Sequence, residues 1–200
     1  MENSLIKIEE LLSKYEQEFI DKIPSEDSTS REEKIILMLD IMKSKPKIIV
    51  ETGTHRGLTT CYLALVAKEM GAVVHTYDPY DYGANGNFEK FPELPIVYHQ
   101  QPGRSCDLES VDFFFCDGYH EKIHVIEELD TILPKLTDGA IVYFHDTNGS
   151  NALCDVPGGI DHHGLKVEYL KTLNGMAKYV HNKNIGSDSD NQTTVPQPNV

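Results

Sequence analysis

Basic residues are scarce in this chain: 18 Lys and Arg stand against 32 Asp and Glu over 200 residues, a formal net charge of −14. A deficit of that sign argues against sequence-independent nucleic-acid binding, which needs basic stripes to displace counterions, and against docking on anionic membranes. No apolar run approaches the roughly 18 residues of a membrane span, and no N-terminal segment reads as a signal peptide. A cytoplasmic location is the expectation. Tryptophan is absent, and Cys61, Cys106, Cys116 and Cys154 have no C-x-x-C spacing. They read as reduced thiols, not as a disulfide framework or a zinc site. The hydrophobic fraction of 40% and charged fraction of 25% are those of an ordinary globular domain.

What is present is organised around residues 47–58. Ile48, Ile49 and Val50 form a β-branched run, as expected of a central strand covered on both faces. Glu51 ends it, and Gly53 and Gly57 turn the backbone into a helix over Leu58–Met70, with Gly71 as its stop. A dinucleotide fingerprint wants a third glycine, absent here. The acid at the strand end suits a cationic, amino-acid-like group better than a pyrophosphate, which a carboxylate repels.

Residues 1–45 read as an N-terminal helical extension. Leu5, Ile8, Leu12, Tyr15 and Phe19 give one amphipathic helix, ended by Pro24 and a polar stretch. Ser30 and Glu33 form a capping-box pattern opening a second, to about Lys43. These helices cover a sheet edge or form a substrate or dimer surface, and a homodimer is one expected assembly.

Residues 46–185 read as one α/β domain. Strands are expected over 72–77, 95–100, Val111–Cys116 and 140–144, with a helix over 121–133 whose apolar face carries Ile123, Ile126, Leu129 and Leu133. The helix between the third and fourth strands is reduced or missing, and Asp138–Gly139 is a tight turn into the fifth strand. Residues 80–94 are a polar loop, 149–163 a loop with a Pro157–Gly158–Gly159 hinge, 165–173 a helix, and 176–181 a sixth strand. From residue 186 the composition is that of a disordered tail. The alternation of strands and helices predicts an α/β, doubly wound, mostly parallel Rossmann-like sheet with an N-terminal helical extension.

Parallel strands bring their terminal residues to one edge, where ligands of open α/β sheets bind. Asp78, about twenty-five residues after Gly53, is placed there to accept both hydroxyls of a ribose. Two further strands end in an acid near a histidine: Asp117 with His120, and His145 with Asp146 and Thr147. Two carboxylates beside Thr147 form a hard-oxygen site suited to Mg²⁺ or a similar cation.

With these motifs in order over about residues 47–148, the chain resembles the S-adenosylmethionine-dependent methyltransferases of Rossmann-like fold. The group is the one that includes O-methyltransferases of antibiotic sugars and is related to the cation-dependent catechol-type enzymes. The resemblance implies a cofactor site of Glu51, Gly53, Thr54, Gly57, Asp78 and Asp117, with metal ligands Asp117, Asp146 and Thr147. His120 matches the position of the catechol-type lysine base, and His145 is a second candidate base. It implies O-methylation of a small-molecule hydroxyl acceptor and leaves adenine recognition unassigned. A nicotinamide oxidoreductase shares the fold but predicts the third glycine; a non-catalytic cofactor-binding or scaffold protein has no use for the edge acids and histidines.

Overall fold

The computed structural model describes residues 2–23, 29–149 and 153–183. The expected tail over 186–200 and most of the polar stretch after the first helix lie outside the described residues.

Among the described residues seven strands form one sheet. They are β1 (Ile48–Thr52), β2 (Val73–Tyr77), β3 (Ile96–His99), β4 (Val111–Cys116), β5 (Leu136–His145), β6 (Glu168–Leu170) and β7 (Met176–Val180), in the order β3-β2-β1-β4-β5-β7-β6. The first five pair in parallel, and β7 is antiparallel to both its neighbours. β1 lies between β2 and β4, so its apolar run is covered on both faces. Side chains alternate across β4: Phe113 and Phe115 join one core cluster, Phe114 and Cys116 the other.

Helices α1 (Glu2–Lys22) and α2 (Arg31–Ser44) pack on α3 (Leu58–Met70) against the first of these faces. Ile8, Leu12, Phe19, Leu37, Met38 and Ile41 are buried there, and the Phe19 ring meets Phe91 edge-on at 5.0 Å. The extension thus covers a sheet face rather than an edge. The capping box forms: Ser30 Oγ accepts from the Glu33 N–H, and the Glu33 carboxylate accepts from the Ser30 N–H. A short α4 (Ala84–Phe88) lies in the polar loop after β2. On the other face lie α5 (Lys122–Ile132) and α6 (Val156–His162). Between β3 and β4 there is only a 3₁₀ turn, Gly103–Ser105, as the short connection predicted.

Four local expectations are corrected. The segment read as helical over 165–173 contains β6, because Leu165, Val167 and Tyr169 also satisfy a period of two and the open edge of β7 offers a ladder. The Pro-Gly-Gly hinge is the first turn of α6: Asp155 caps it by accepting from the Gly158 N–H, and proline is tolerated where no donor is needed. A Cβ on Gly159 would stand 2.5 Å from Val125 Cγ1, so that glycine lets α6 approach α5. The turn at 138–139 is a bulge inside β5, which pairs with Val111 through Leu136 and with Phe113 through Ile141. Finally, α5 buries Val125, Glu128, Leu129 and Ile132, while Ile123 is exposed.

Candidate active site

The loops at the carboxyl ends of β1, β2 and β4 enclose a cavity of about 390 Å³. Gly53 (φ 86°) and Gly57 (φ 86°) carry the chain from β1 into α3. A Cβ on Gly53 would stand 1.9 Å from the Asp117 carbonyl oxygen, so only glycine lets the ends of β1 and β4 meet. Gly57 takes the N-cap of α3, where a Cβ would strike the Phe88 ring at 2.4 Å. Gly53, Thr54, Asp78, Asp117 and His120 all line the cavity.

Glu51 and Gly57 do not line it. Glu51 is 1% exposed, and its carboxylate accepts from Thr60 Oγ1 at 2.5 Å and Thr76 Oγ1 at 2.7 Å. It braces the strand–helix junction from beneath. Thr54 Oγ1 meets Thr76 Oγ1 at 2.6 Å. Asp78 accepts from the backbone N–H of His55 at 2.9 Å and of Tyr80 at 3.0 Å, which fixes its carboxylate at the cavity wall.

At one end of the cavity, ligand atoms of Asp117, His120, His145 and Asp146 lie within 4.8 Å of one another. Asp117 Oδ1 stands 2.8 Å from His145 Nδ1 and 3.4 Å from His120 Nε2; Asp146 Oδ2 is 3.2 Å from His120 Nδ1. His145 Nδ1 and His120 Nε2 are buried, yet neither is aligned for a hydrogen bond with these oxygens. Asp146 holds a left-handed φ of 56°, a strained conformation that turns its side chain back towards the cluster. Thr147 follows Asp146 directly. Its N–H donates to Gly175 and the Asn148 N–H to Asn174, continuing the β5–β7 pairing.

The cluster is held from behind by the N-terminal extension. Glu33 and His145 are each 0% exposed, with Glu33 Oε2 3.3 Å from His145 Nε2, and Thr29 Oγ1 donates to Asp117 Oδ2 at 3.2 Å. Burial opposes charge on His145, but Asp117, Asp146 and Glu33 outweigh it and push the imidazole up to about 12. His120 is raised for the same reason, burial being outweighed by Asp117 and Asp146. Burial likewise opposes charge on Asp117, and the two imidazoles hold it below the usual carboxylate range. Thr29 and Glu33 escaped the sequence reading because a capping box already accounted for Glu33. Glu128 was hidden in the same way, by a helix stripe read about one residue out of phase.

Residues 50–147 match the family model of a methyltransferase domain. The matched residues run from within β1 to just past the end of β5. No curated protein sequence matches the chain. Solved structures share the fold. An O-methyltransferase from Bacillus cereus in complex with SAH is 19% identical at a TM-score of 0.63, over 86% of this chain and 89% of that one. TomG, an O-methyltransferase from Streptomyces achromogenes involved in tomaymycin synthesis, in complex with SAM, is 16% identical at a TM-score of 0.64, over 86% and 90%. An SAH-bound methyltransferase from Podospora anserina is 16% identical at 0.63, over 90% and 88%. Among the described residues no helix is long and apolar enough to cross a membrane.

Proposed function

We propose that the chain is an S-adenosylmethionine-dependent O-methyltransferase acting on a small-molecule hydroxyl with the help of a divalent cation. The observation that carries this reading is a single cavity with the Gly53 turn and Asp78 on its walls and the Asp–His cluster at its end. S-adenosylmethionine would supply an electrophilic methyl group, and a cation would lower the pKa of the acceptor hydroxyl. Asp78, already oriented by two backbone N–H groups, is the carboxylate for a ribose. Asp117, His120, His145 and Asp146 fit a cation because four donors converge and two buried ring nitrogens lack aligned partners. Two imidazoles among them favour Mn²⁺, Fe²⁺ or Zn²⁺ over the Mg²⁺ expected of an all-oxygen set.

His120 lines the cavity, whereas His145 is fully buried behind it. His120 would thus be the imidazole that holds the cation against the acceptor; where no cation is held it is the proposed base, made stronger than a free imidazole by Asp117 and Asp146. His145 positions Asp117. His120, Asp117 and Asp146 would hold the acceptor oxygen at the cluster, and positioning of that kind supplies much of the rate of a group transfer.

Calorimetry tests the reading. The wild type should bind S-adenosylhomocysteine with micromolar-range affinity, and Gly53→Val should lose it as β1 and β4 are forced apart. Asp78→Ala should weaken binding by about 1–3 kcal/mol. Mn²⁺ binding, read by electron paramagnetic resonance, should vanish in Asp146→Asn while cofactor binding survives. A wild type that binds no S-adenosylhomocysteine rules the function out; turnover that persists in EDTA rules out only the cation.

A further inference from the structure

The cavity shares lining residues with a groove formed by Pro79, Tyr80, Pro102, Gly103, Tyr119 and His124. The groove exists because β3 connects to β4 through a single 3₁₀ turn, Gly103–Ser105, with no helix beside it. Glu128, from the middle of α5, lines both the cavity and the groove, although it is only 7% exposed.

Its two carboxyl oxygens have different surroundings. Oε2 accepts from Thr52 Oγ1 at 2.8 Å and from Cys116 Sγ at 3.4 Å. Oε1 has no hydrogen-bond partner among the described residues, and no cation pairs with the carboxylate. A Cβ on residue 103 would stand 3.0 Å from Oε1, and one on residue 118 would stand 2.8 Å from it. Both positions are glycine, so no side chain from either covers this oxygen. A buried carboxyl with one uncommitted oxygen is costly unless something arrives to use it. Burial also pushes Glu128 up to about 7.

The groove holds none of the four cluster residues but shares Gly103 and Glu128 with the cavity. If the reacting methyl is at the cluster and the ribose at Asp78, the base of the cofactor extends towards Gly103 and Glu128. We propose that Glu128 Oε1 accepts a hydrogen bond from the exocyclic amine of the cofactor's adenine, so that α5 reads the base where a connecting helix is missing. This rests on the S-adenosylmethionine reading above.

The test compares S-adenosylhomocysteine with S-inosylhomocysteine, in which a carbonyl oxygen replaces the amine. Both are titrated by calorimetry at pH 8, where Glu128 is mostly ionised. The wild type should prefer the amine by about tenfold or more, because a carboxylate oxygen repels the carbonyl oxygen in the amine's place and reaches the neighbouring ring N1–H only by shifting the base. In Glu128→Gln, the hydroxyl and thiol donors of Thr52 and Cys116 hold the amide oxygen in the Oε2 place, so the amide N–H₂ takes the Oε1 place. A donor then faces the base, and the preference should fall by about tenfold or reverse. A role in packing alone cannot invert selectivity between two ligands of the same shape. Equal wild-type affinities overturn the proposal, as does a Gln variant that folds and keeps the wild-type ratio. Should that variant not fold, the wild-type ratio decides alone. A wild type that binds neither ligand defeats the parent reading instead.

Discussion

Glu33 and Glu128 are both buried carboxyls that reach the site from helices on opposite faces of the sheet, and they titrate in opposite directions. Burial resists charge on Glu33, yet His145, Thr172 and the Ser30 N–H outweigh it and bring its pKa down to about 2. Burial resists charge on Glu128 as well, but Thr52 and Cys116 are weak neutral donors, and its pKa is pushed up to about 7. Burial has the same sign in both; the partners decide the outcome. Both carboxylate oxygens of Glu33 have donors within the protein, joining α2, β5 and, through the Asn174 N–H at 3.3 Å, the β6–β7 hairpin. Glu128 lacks such a network, as expected of a group that meets its partner only on binding.

The largest effect expected from this contrast is in Glu33→Ala. Removing the carboxylate leaves a buried charged imidazole with one fewer counter-charge and orphans the Ser30 N–H group. Urea unfolding of EDTA-treated protein at pH 6 should show a loss of about 3 kcal/mol. The pH dependence follows from the two shifts. The Glu33 carboxyl is lowered from 4.5 to about 2, so its contribution is complete above 4.5 and lost as pH falls through about 2. The His145 imidazole is raised from 6.5 to about 12, so its contribution is complete below 6.5 and lost as pH rises towards 12. The difference between wild type and variant should therefore be greatest between pH 4.5 and 6.5. A flat difference from pH 3 to 9 would mean that Asp117 and Asp146 balance His145 unaided.

Glu128→Gln should move stability the other way. Its folded pKa lies above the unfolded value, so between pH 4.5 and about 7 the folded state holds more protons and wild-type stability falls as pH rises. The amide cannot ionise, and the variant should escape that fall. At pH 8.5 it should exceed the wild type by about 1–3 kcal/mol, with no gain at pH 4.5. Equal stabilities at pH 8.5 would show that the ionised carboxylate is solvated through the cavity.

The same two residues show what was legible in the sequence. The strand runs at Ile48–Val50 and Val111–Cys116 placed the central sheet, and the acids after them marked the edge where the cavity lies. Those features are local: a β-branched run and the residue that ends it. Glu33 was legible only as a capping residue, because its second role depends on β5, more than a hundred positions away. Glu128 sits in the buried stripe Val125, Glu128, Leu129 and Ile132, which breaks the apolar pattern with one acid. Ile123, Ile126, Leu129 and Leu133 fit helical spacing equally well, and only the placement of α5 against Thr52 and Cys116 chooses between the stripes. The β6–β7 hairpin escaped for a related reason: three-residue β6 acquires its identity from the edge it pairs with.

The smallest effect sharpens the contrast within one helix. Glu127 adjoins Glu128 in sequence, but its side chain is 39% exposed and pairs with Arg104 Nη1 at 2.7 Å across half-exposed surface. Arg104 lowers the Glu127 pKa, the opposite direction to its neighbour's, although the two are consecutive on α5. Water screens this pair, and holding two long side chains in one geometry costs entropy that offsets the attraction. Glu127→Gln should change unfolding free energy by less than about 0.5 kcal/mol at pH 8.5, and 0.5 M salt should erase most of that. Glu128→Gln, one position on, should keep its alkaline gain in the same salt, since a desolvation cost is not screened. If both variants responded alike to salt, the two carboxyls would share one solvated environment, and the buried setting assigned to Glu128 would be wrong.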